Sequence, residues 1–133
     1  MMRVRTSIGP STIPGAGLGV FVAEPVQAGQ VIWEFDTGLD ILLDGMPQEP
    51  VLRAYVEKYG YEPLGEPGQW LLCVDDGRFI NHSDQPNTSD TRNQTIATVA
   101  MAPGTEITSD YRAFARQPFL GWPDVSAEIE GVL

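Results

Sequence analysis

The sequence predicts a mainly β fold of short strands with one short helix. Three observations carry this expectation. Fourteen glycines and eleven prolines in 133 residues punctuate the chain too often for long helices. The apolar residues between them fall into brief runs rich in β-branched and aromatic side chains, as strands require. A clear helical spacing of apolar residues occurs over 50–59.

In chain order, residues 6–19 are rich in Ser, Thr, Pro and Gly and are expected as turn and loop. Residues 19–23 and 30–35 are predicted strands, joined by a connection that Pro25 and Gly29 punctuate. Residues 41–43 form a further short strand. The helix is predicted from Pro50 to Tyr59, with Val51, Leu52, Tyr55, Val56 and Tyr59 on one face and Gly60 placed to stop it. Residues 70–74 read as a strand, and Asp75-Asp76-Gly77 as a hairpin turn, because Asp-Gly tolerates positive φ. Residues 78–80 begin the return. Residues 95–100 alternate as a strand, 102–105 turn, and 106–111 close the set.

Length fits one domain. One cysteine, Cys73, and one histidine, His82, exclude an internal disulfide and a four-ligand zinc site built from His and Cys. No apolar run approaches the ~20 residues of a membrane span, and the N-terminus lacks the apolar core of a signal peptide. An intracellular, cytoplasmic protein without membrane contact is the expectation. The formal net charge of −10 argues against direct nucleic-acid binding and favours basic, lysine-containing protein or peptide partners.

Three segments carry polar chemistry. Gly15-Ala16-Gly17-Leu18-Gly19 invites a nucleotide-loop interpretation, but Val20 or Val22 stands where a dinucleotide fingerprint needs its third glycine, and a strand follows instead of a helix. What remains is that glycines let backbone approach a ligand closely, or simply form a flexible turn. Arg78-Phe79-Ile80-Asn81-His82-Ser83-Asp84-Gln85-Pro86-Asn87 sets an apolar strand end against Asn, His and Ser. An Asn there can both donate and accept, and so clamp a ligand, or cap a polar turn. His82-Ser83-Asp84 is no catalytic triad, since three adjacent side chains cannot form that relay. Gly104-Thr105-Glu106-Ile107-Thr108-Ser109-Asp110-Tyr111 ends on a tyrosine that could serve packing alone.

Together and in this order, the three segments resemble the SET-domain family of protein-lysine methyltransferases. Residues 17–22 look like its N-terminal glycine motif, 78–83 with Pro86-Asn87 like its central motif, and 104–111 like its C-terminal tyrosine motif. The resemblance covers about 8–113. It implies a single SET domain over 1–133: β-clip-like small sheets with a C-terminal pseudoknot, one short helix in the insert, and a tail from 114 to 133 acting as a lid. The absence of a cysteine cluster after Tyr111, and Asp84 where histone-directed members carry a zinc-binding cysteine, make it similar to the small free-standing bacterial type without zinc-binding segments.

The implied activity is transfer of a methyl group from S-adenosylmethionine to a lysine amine in a protein substrate. Carried onto matching positions, Gly17, Leu18, Gly19, Asn81 and His82 bind the cofactor, Tyr111 is catalytic, and Trp70, Ser109 and Tyr111 line the substrate channel. Ser109 stands where members carry the Phe or Tyr that limits how many methyls are added. Phe114, Phe119 or Trp122 is expected to cover the site. Trp70 takes a position where the family often has a channel tyrosine, and this keeps open an alternative: a catalytically silent module that binds cofactor or peptide.

Overall fold

Strand β1 (Thr6–Pro10) lies antiparallel to β2 (Leu18–Val22), with Thr6 opposite Val22 and Pro10 opposite Leu18. The computed structural model describes residues 1–91 and 93–116. The expected loop over 6–19 is therefore a strand at its start. Thr6-Ser7-Ile8-Gly9-Pro10 has little apolar content because it is a largely exposed edge, where proline is tolerated. Its partner β2 carries the burial, with Val20 and Val22 inaccessible to solvent.

Strand β3 (Val31–Glu34) pairs with β8 (Gln94–Ala97), which pairs with β7 (Thr88–Asp90), and the three form one antiparallel sheet. A register shift between Val31 and Trp33 leaves Ile32 and Trp33 both buried. Strand β4 (Ile41–Leu43) pairs with β5 (Trp70–Leu72). One apolar core gathers Val4, Val20, Val22, Ile32, Met101 and Ile107. A second, built on Trp33, Leu71 and Cys73, has Phe35 and Tyr61 packed against it.

Helix α1 (Pro50–Tyr59) has the predicted bounds. The Glu49 side chain accepts from the Val51 and Leu52 amides, and proline occupies the first turn, where its missing N–H is not needed. Gly60 ends the helix without a left-handed φ; a Cβ there would lie 2.8 Å from the Val56 carbonyl oxygen. The predicted apolar face is not a buried face. Val56 is fully buried, whereas Val51, Leu52 and Tyr55 are exposed.

The expected hairpin at Asp75-Asp76-Gly77 is not formed. Asp75 caps a 3-10 helix over Asp76–Phe79 by accepting from the Gly77 amide, and its other oxygen accepts from the Met2 amide. Gly77 has no left-handed φ; a Cβ there would lie 3.2 Å from the Trp33 ring. The chain then enters β6 (Asn81–His82), which pairs in parallel with β9 (Thr108–Ser109) instead of returning along β5. The predicted last strand over 106–111 changes partner midway. The Ile107 amide bonds to the Val20 carbonyl, 108–109 pair with β6, and Tyr111 opens a 3-10 helix over Tyr111–Ala113.

Residues 106–109 are held on two sides by the segment 81–88. The Ser83 amide donates to the Ser109 carbonyl at 3.0 Å. The Asn87 side chain donates to the Glu106 carbonyl at 2.8 Å and accepts from the Thr108 amide at 2.9 Å. The Thr88 hydroxyl donates to the Thr108 carbonyl. This is the threaded arrangement expected of the pseudoknot. Of the expected lid, Phe114 is described, while Phe119 and Trp122 lie outside the described residues.

Candidate functional site

The site is assembled where the glycine segment, the central segment and the C-terminal segment meet. Gly15 and Gly17 have φ of 78° and 76°, and a Cβ on either would meet nothing within 4 Å. They make an open turn, closed by the Ser11 amide on the Gly17 carbonyl. Gly19 is glycine for another reason. A Cβ there would sit 2.6 Å from Glu106 Oε2 and 3.3 Å from Ser11 Cα. The close approach at Gly19 is thus to the protein's own carboxylate.

Glu106 had no assigned role in the sequence, yet it joins all three segments. Its Oε1 accepts from the Thr12 amide at 2.7 Å and the Thr12 hydroxyl at 2.6 Å. Its Oε2 accepts from the Ser11 hydroxyl at 2.8 Å and Asn81 Nδ2 at 3.2 Å. Burial pushes its carboxyl upward, but the hydrogen bonds from Thr12, Ser11 and Asn81 together outweigh that and hold it below the usual glutamate range. Asn81 Nδ2 also donates to the Leu18 carbonyl at 2.9 Å, so Asn81 orders the glycine loop directly.

His82 turns the other way. Its Nδ1 accepts from the Tyr111 amide at 3.2 Å, which places the ring hydrogen on Nε2, 2.8 Å from Asp84 Oδ1. The imidazole packs edge-on to the Tyr111 ring, with centroids 5.6 Å apart. Arg112 bridges Asp84 and Asp110, and this bridge, first among several causes, keeps the Asp110 carboxyl low. Asp84 thus belongs to an ionic clip between the central and C-terminal segments.

Behind β6 lies a cavity of about 100 Å³. Trp33, Tyr59, Tyr61, Tyr111 and Phe114 supply aromatic walls. Asp90, Thr95 and Ser109 supply polar groups. The Tyr111 hydroxyl donates to the Ile80 carbonyl in a short hydrogen bond. Desolvation raises the phenol pKa of Tyr111 above its ordinary value, and the neighbouring Cys73 and Asp90 add to this. The Tyr61 phenol is raised in the same way, by burial first and then by Cys73, Asp90 and Asp40. Ser109, 2% exposed, shares a hydrogen bond with the Thr88 hydroxyl at 3.0 Å.

Of the residues singled out from sequence, Ser109 and Tyr111 line this cavity, while Gly17, Leu18, Gly19, Asn81 and His82 do not. Those five gather around the glycine turn and β6. Trp70, expected to line a substrate channel, pairs with Leu43 in the β4–β5 ladder and does not line this cavity. The hydroxyl-bearing residue there is Tyr61, which follows Gly60 and bonds by backbone in both directions to Leu71. The sequence signal was present in Tyr59-Gly60-Tyr61, but Gly60 was read only as a helix stop. Asp90 was likewise unassigned; its signal was a carboxylate three residues after Asn87.

These features define a small β protein of threaded topology with a glycine turn and an aromatic cavity joined through Ile80 and Asn81. Residues 17–112 match the family model of the SET domain, and the chain belongs to the SET-domain family. No curated protein matches. Among solved structures, the polycomb repressive complex 2 of Chaetomium thermophilum is similar over 88% of this chain at 21% identity, with a TM-score of 0.66. ctPRC2 in an autoinhibited conformation bound to S-adenosylmethionine is similar over 97% of this chain at 22% identity, with a TM-score of 0.63. At that identity the likeness is one of fold. This chain spans 16% and 17% of the length of those two chains. No helix among the described residues is long and apolar enough to cross a membrane.

Proposed function

We propose that this chain is an S-adenosylmethionine-dependent methyltransferase acting on the side-chain amine of a lysine in a basic protein or peptide. The observation that carries this reading is that the adjacent residues Ile80 and Asn81 serve the cavity and the glycine turn respectively. Asn81 orders the glycine turn, and Ile80 holds the Tyr111 hydroxyl. The residues present fit the cofactor. Gly15 and Gly17 expose backbone in an open turn, and Asn81 lies beside it with a side chain that can both donate and accept. When bound, S-adenosylmethionine supplies a methyl group on a positively charged sulfur.

The work left to the protein is to orient the amine and let it lose its proton. Free lysine has a pKa near 10.4, so deprotonation at pH 7.5 costs about 4 kcal/mol. Loss of hydration in the cavity favours the neutral amine once the lysine side chain has entered. Tyr111, with a phenol too basic to ionise near neutrality, acts as a neutral hydroxyl that fixes geometry. The acidic surface, net −10, raises the local concentration of lysine-rich partners. The binding-only alternative drew on Trp70, which lacks a hydroxyl, and on the small Ser109. With Tyr61 and Tyr111 both in the cavity, turnover is the better supported reading.

The test is calorimetric titration with S-adenosylmethionine of the wild type and Asn81→Ala, followed by mass spectrometry of basic peptides. We expect micromolar-range binding, at least tenfold weaker in Asn81→Ala, and methyl transfer that drops at least 100-fold in Tyr111→Phe. A folded protein that does not bind the cofactor overturns the proposal.

A further inference from the structure

Asp90 lies on β7 and lines the aromatic cavity. Its Oδ1 accepts from the Thr95 hydroxyl at 2.6 Å. Its Oδ2 is buried and, among the described residues, has no hydrogen-bond partner. No described cation lies within salt-bridge distance of it. A buried carboxylate oxygen left in this state is costly, and Asp90 belongs to the wall of a cavity that a donor could enter. The cavity is several times the ~10–15 Å³ that one water needs.

We propose that Asp90 is the group that receives the ammonium of the substrate, making this cavity selective for an alkylammonium side chain that still carries an N–H. The inference rests on the methyltransferase reading and names the substrate chemistry of that same site. Its walls suit a cation, since the faces of Trp33, Tyr59, Tyr61 and Tyr111 attract positive charge. Asp90 lines the same cavity as the phenols of Tyr61 and Tyr111, and its charge contributes to the raised pKa of both.

The cations of the cavity lie on other elements. Lys58 is exposed and rests 5.3 Å from the Tyr59 ring centroid. Arg78 stacks 4.5 Å from the Phe79 centroid and donates to the Val74 carbonyl. Burial lifts the Asp90 carboxyl above its ordinary range, the Thr95 and Ser109 hydroxyls draw it partly back, and the Asp110 charge adds to the lift. An arriving ammonium supplies the missing partner and stabilises the ionised form. Primary, monomethyl and dimethyl ammonium groups can donate to Oδ2, whereas a quaternary group cannot. Ser109, small and buried at the same cavity, leaves room for methyl substituents.

The probe is n-butylammonium, the lysine side chain without its backbone, titrated to tens of millimolar and followed by NMR. n-Butanol and butyl-trimethylammonium serve as comparisons. Resonances of Thr95, Ser109 and Tyr111 should shift with n-butylammonium, and binding should weaken at least tenfold in Asp90→Asn. Equal affinity of wild type and Asp90→Asn, or no binding by the wild type, overturns the inference. Should Asp90→Asn not fold, the wild type alone decides: n-butanol binding as tightly as n-butylammonium overturns it. In turnover, Asp90→Asn should raise KM for the peptide more than it lowers kcat. Calorimetry with S-adenosylmethionine on the same samples separates the two ideas. Cofactor binding with no Asp90-dependent ammonium binding sinks this inference alone, and absence of cofactor binding sinks the functional reading.

Discussion

Replacing Glu106 by glutamine tests whether one carboxylate holds the site together. Glu106 is 8% exposed, and both of its side-chain oxygens accept, two bonds on Oε1 and two on Oε2. All four partners donate. In Glu106→Gln one oxygen becomes an NH₂ group facing two donors, so two bonds are lost and their donors are left opposed. Hydrogen bonds to a charged group are worth about 1.5–3 kcal/mol each. Allowing for relaxation, the cost is about 3 kcal/mol, or roughly 10 °C in midpoint for a domain of this size. Urea unfolding followed by tryptophan fluorescence measures it. The pH dependence has a definite sign. The folded-state pKa of Glu106 is lowered, so its contribution is complete above the unfolded value near 4.3 and is lost as pH falls through the folded value. The gap between wild type and variant should be flat at neutral pH and shrink in acid. A gap below about 1 kcal/mol at pH 7, or one that persists unchanged to pH 3, refutes the assigned role.

Two further outcomes are expected. Gly19→Ala should destabilise more than Gly17→Ala in thermal melts, because its Cβ meets Glu106 and the Ser11 backbone, a crowding cost of about 1–3 kcal/mol, whereas Gly17 has open space and only an unfavourable φ of 76°; the reverse ranking contradicts the Gly19–Glu106 contact. Cys73 is buried, and burial, followed by the nearby Asp40 and Asp75 charges, pushes its thiol up. A thiol reagent at pH 8 should therefore modify it only as fast as the protein opens, and rapid stoichiometric labelling of native protein would be inconsistent with the packing described.

The helix and most strand positions were legible because they rest on local signals: Pro50 and Gly60 bracket the helix, and β-branched runs mark β2, β3 and β5. β1 and β7 were not, since Thr6–Pro10 and Thr88–Asp90 are polar strands ordered by their partners rather than by their own periodicity. The hairpin at Asp75-Asp76-Gly77 failed because turn chemistry is compatible with both a hairpin and a capped 3-10 helix. The choice was made by the parallel pairing of β6 with β9, which no local pattern encodes. Within the site, the motif residues Asn81, His82 and Tyr111 were readable. Glu106 and Tyr61 were not, because each acts through a partner distant in sequence, Thr12 for Glu106 and Leu71 for Tyr61, and Asp90 was not, because only the fold brings it to the cavity wall.

The shortness of β6 has a consequence for how the two halves of the site communicate. It is a two-residue strand, and its register is fixed mainly by side chains: Asn81 on Leu18 and Glu106, and Asn87 on the Thr108 amide. Ile80, just before it, carries the carbonyl that holds the Tyr111 hydroxyl, and Ile107, just before β9, is anchored in the main core. A shift of the glycine turn therefore acts through Asn81 on the backbone that positions Tyr111. Misplacement of a reacting group by about 1 Å can cost 100-fold in rate. If the two halves are coupled in this way, Asn81→Ala lowers cofactor affinity and also turns over slowly at saturating S-adenosylmethionine. Full recovery of kcat at saturation would mean that Asn81 serves the cofactor alone and that Tyr111 is held by Ile80 and the core without it.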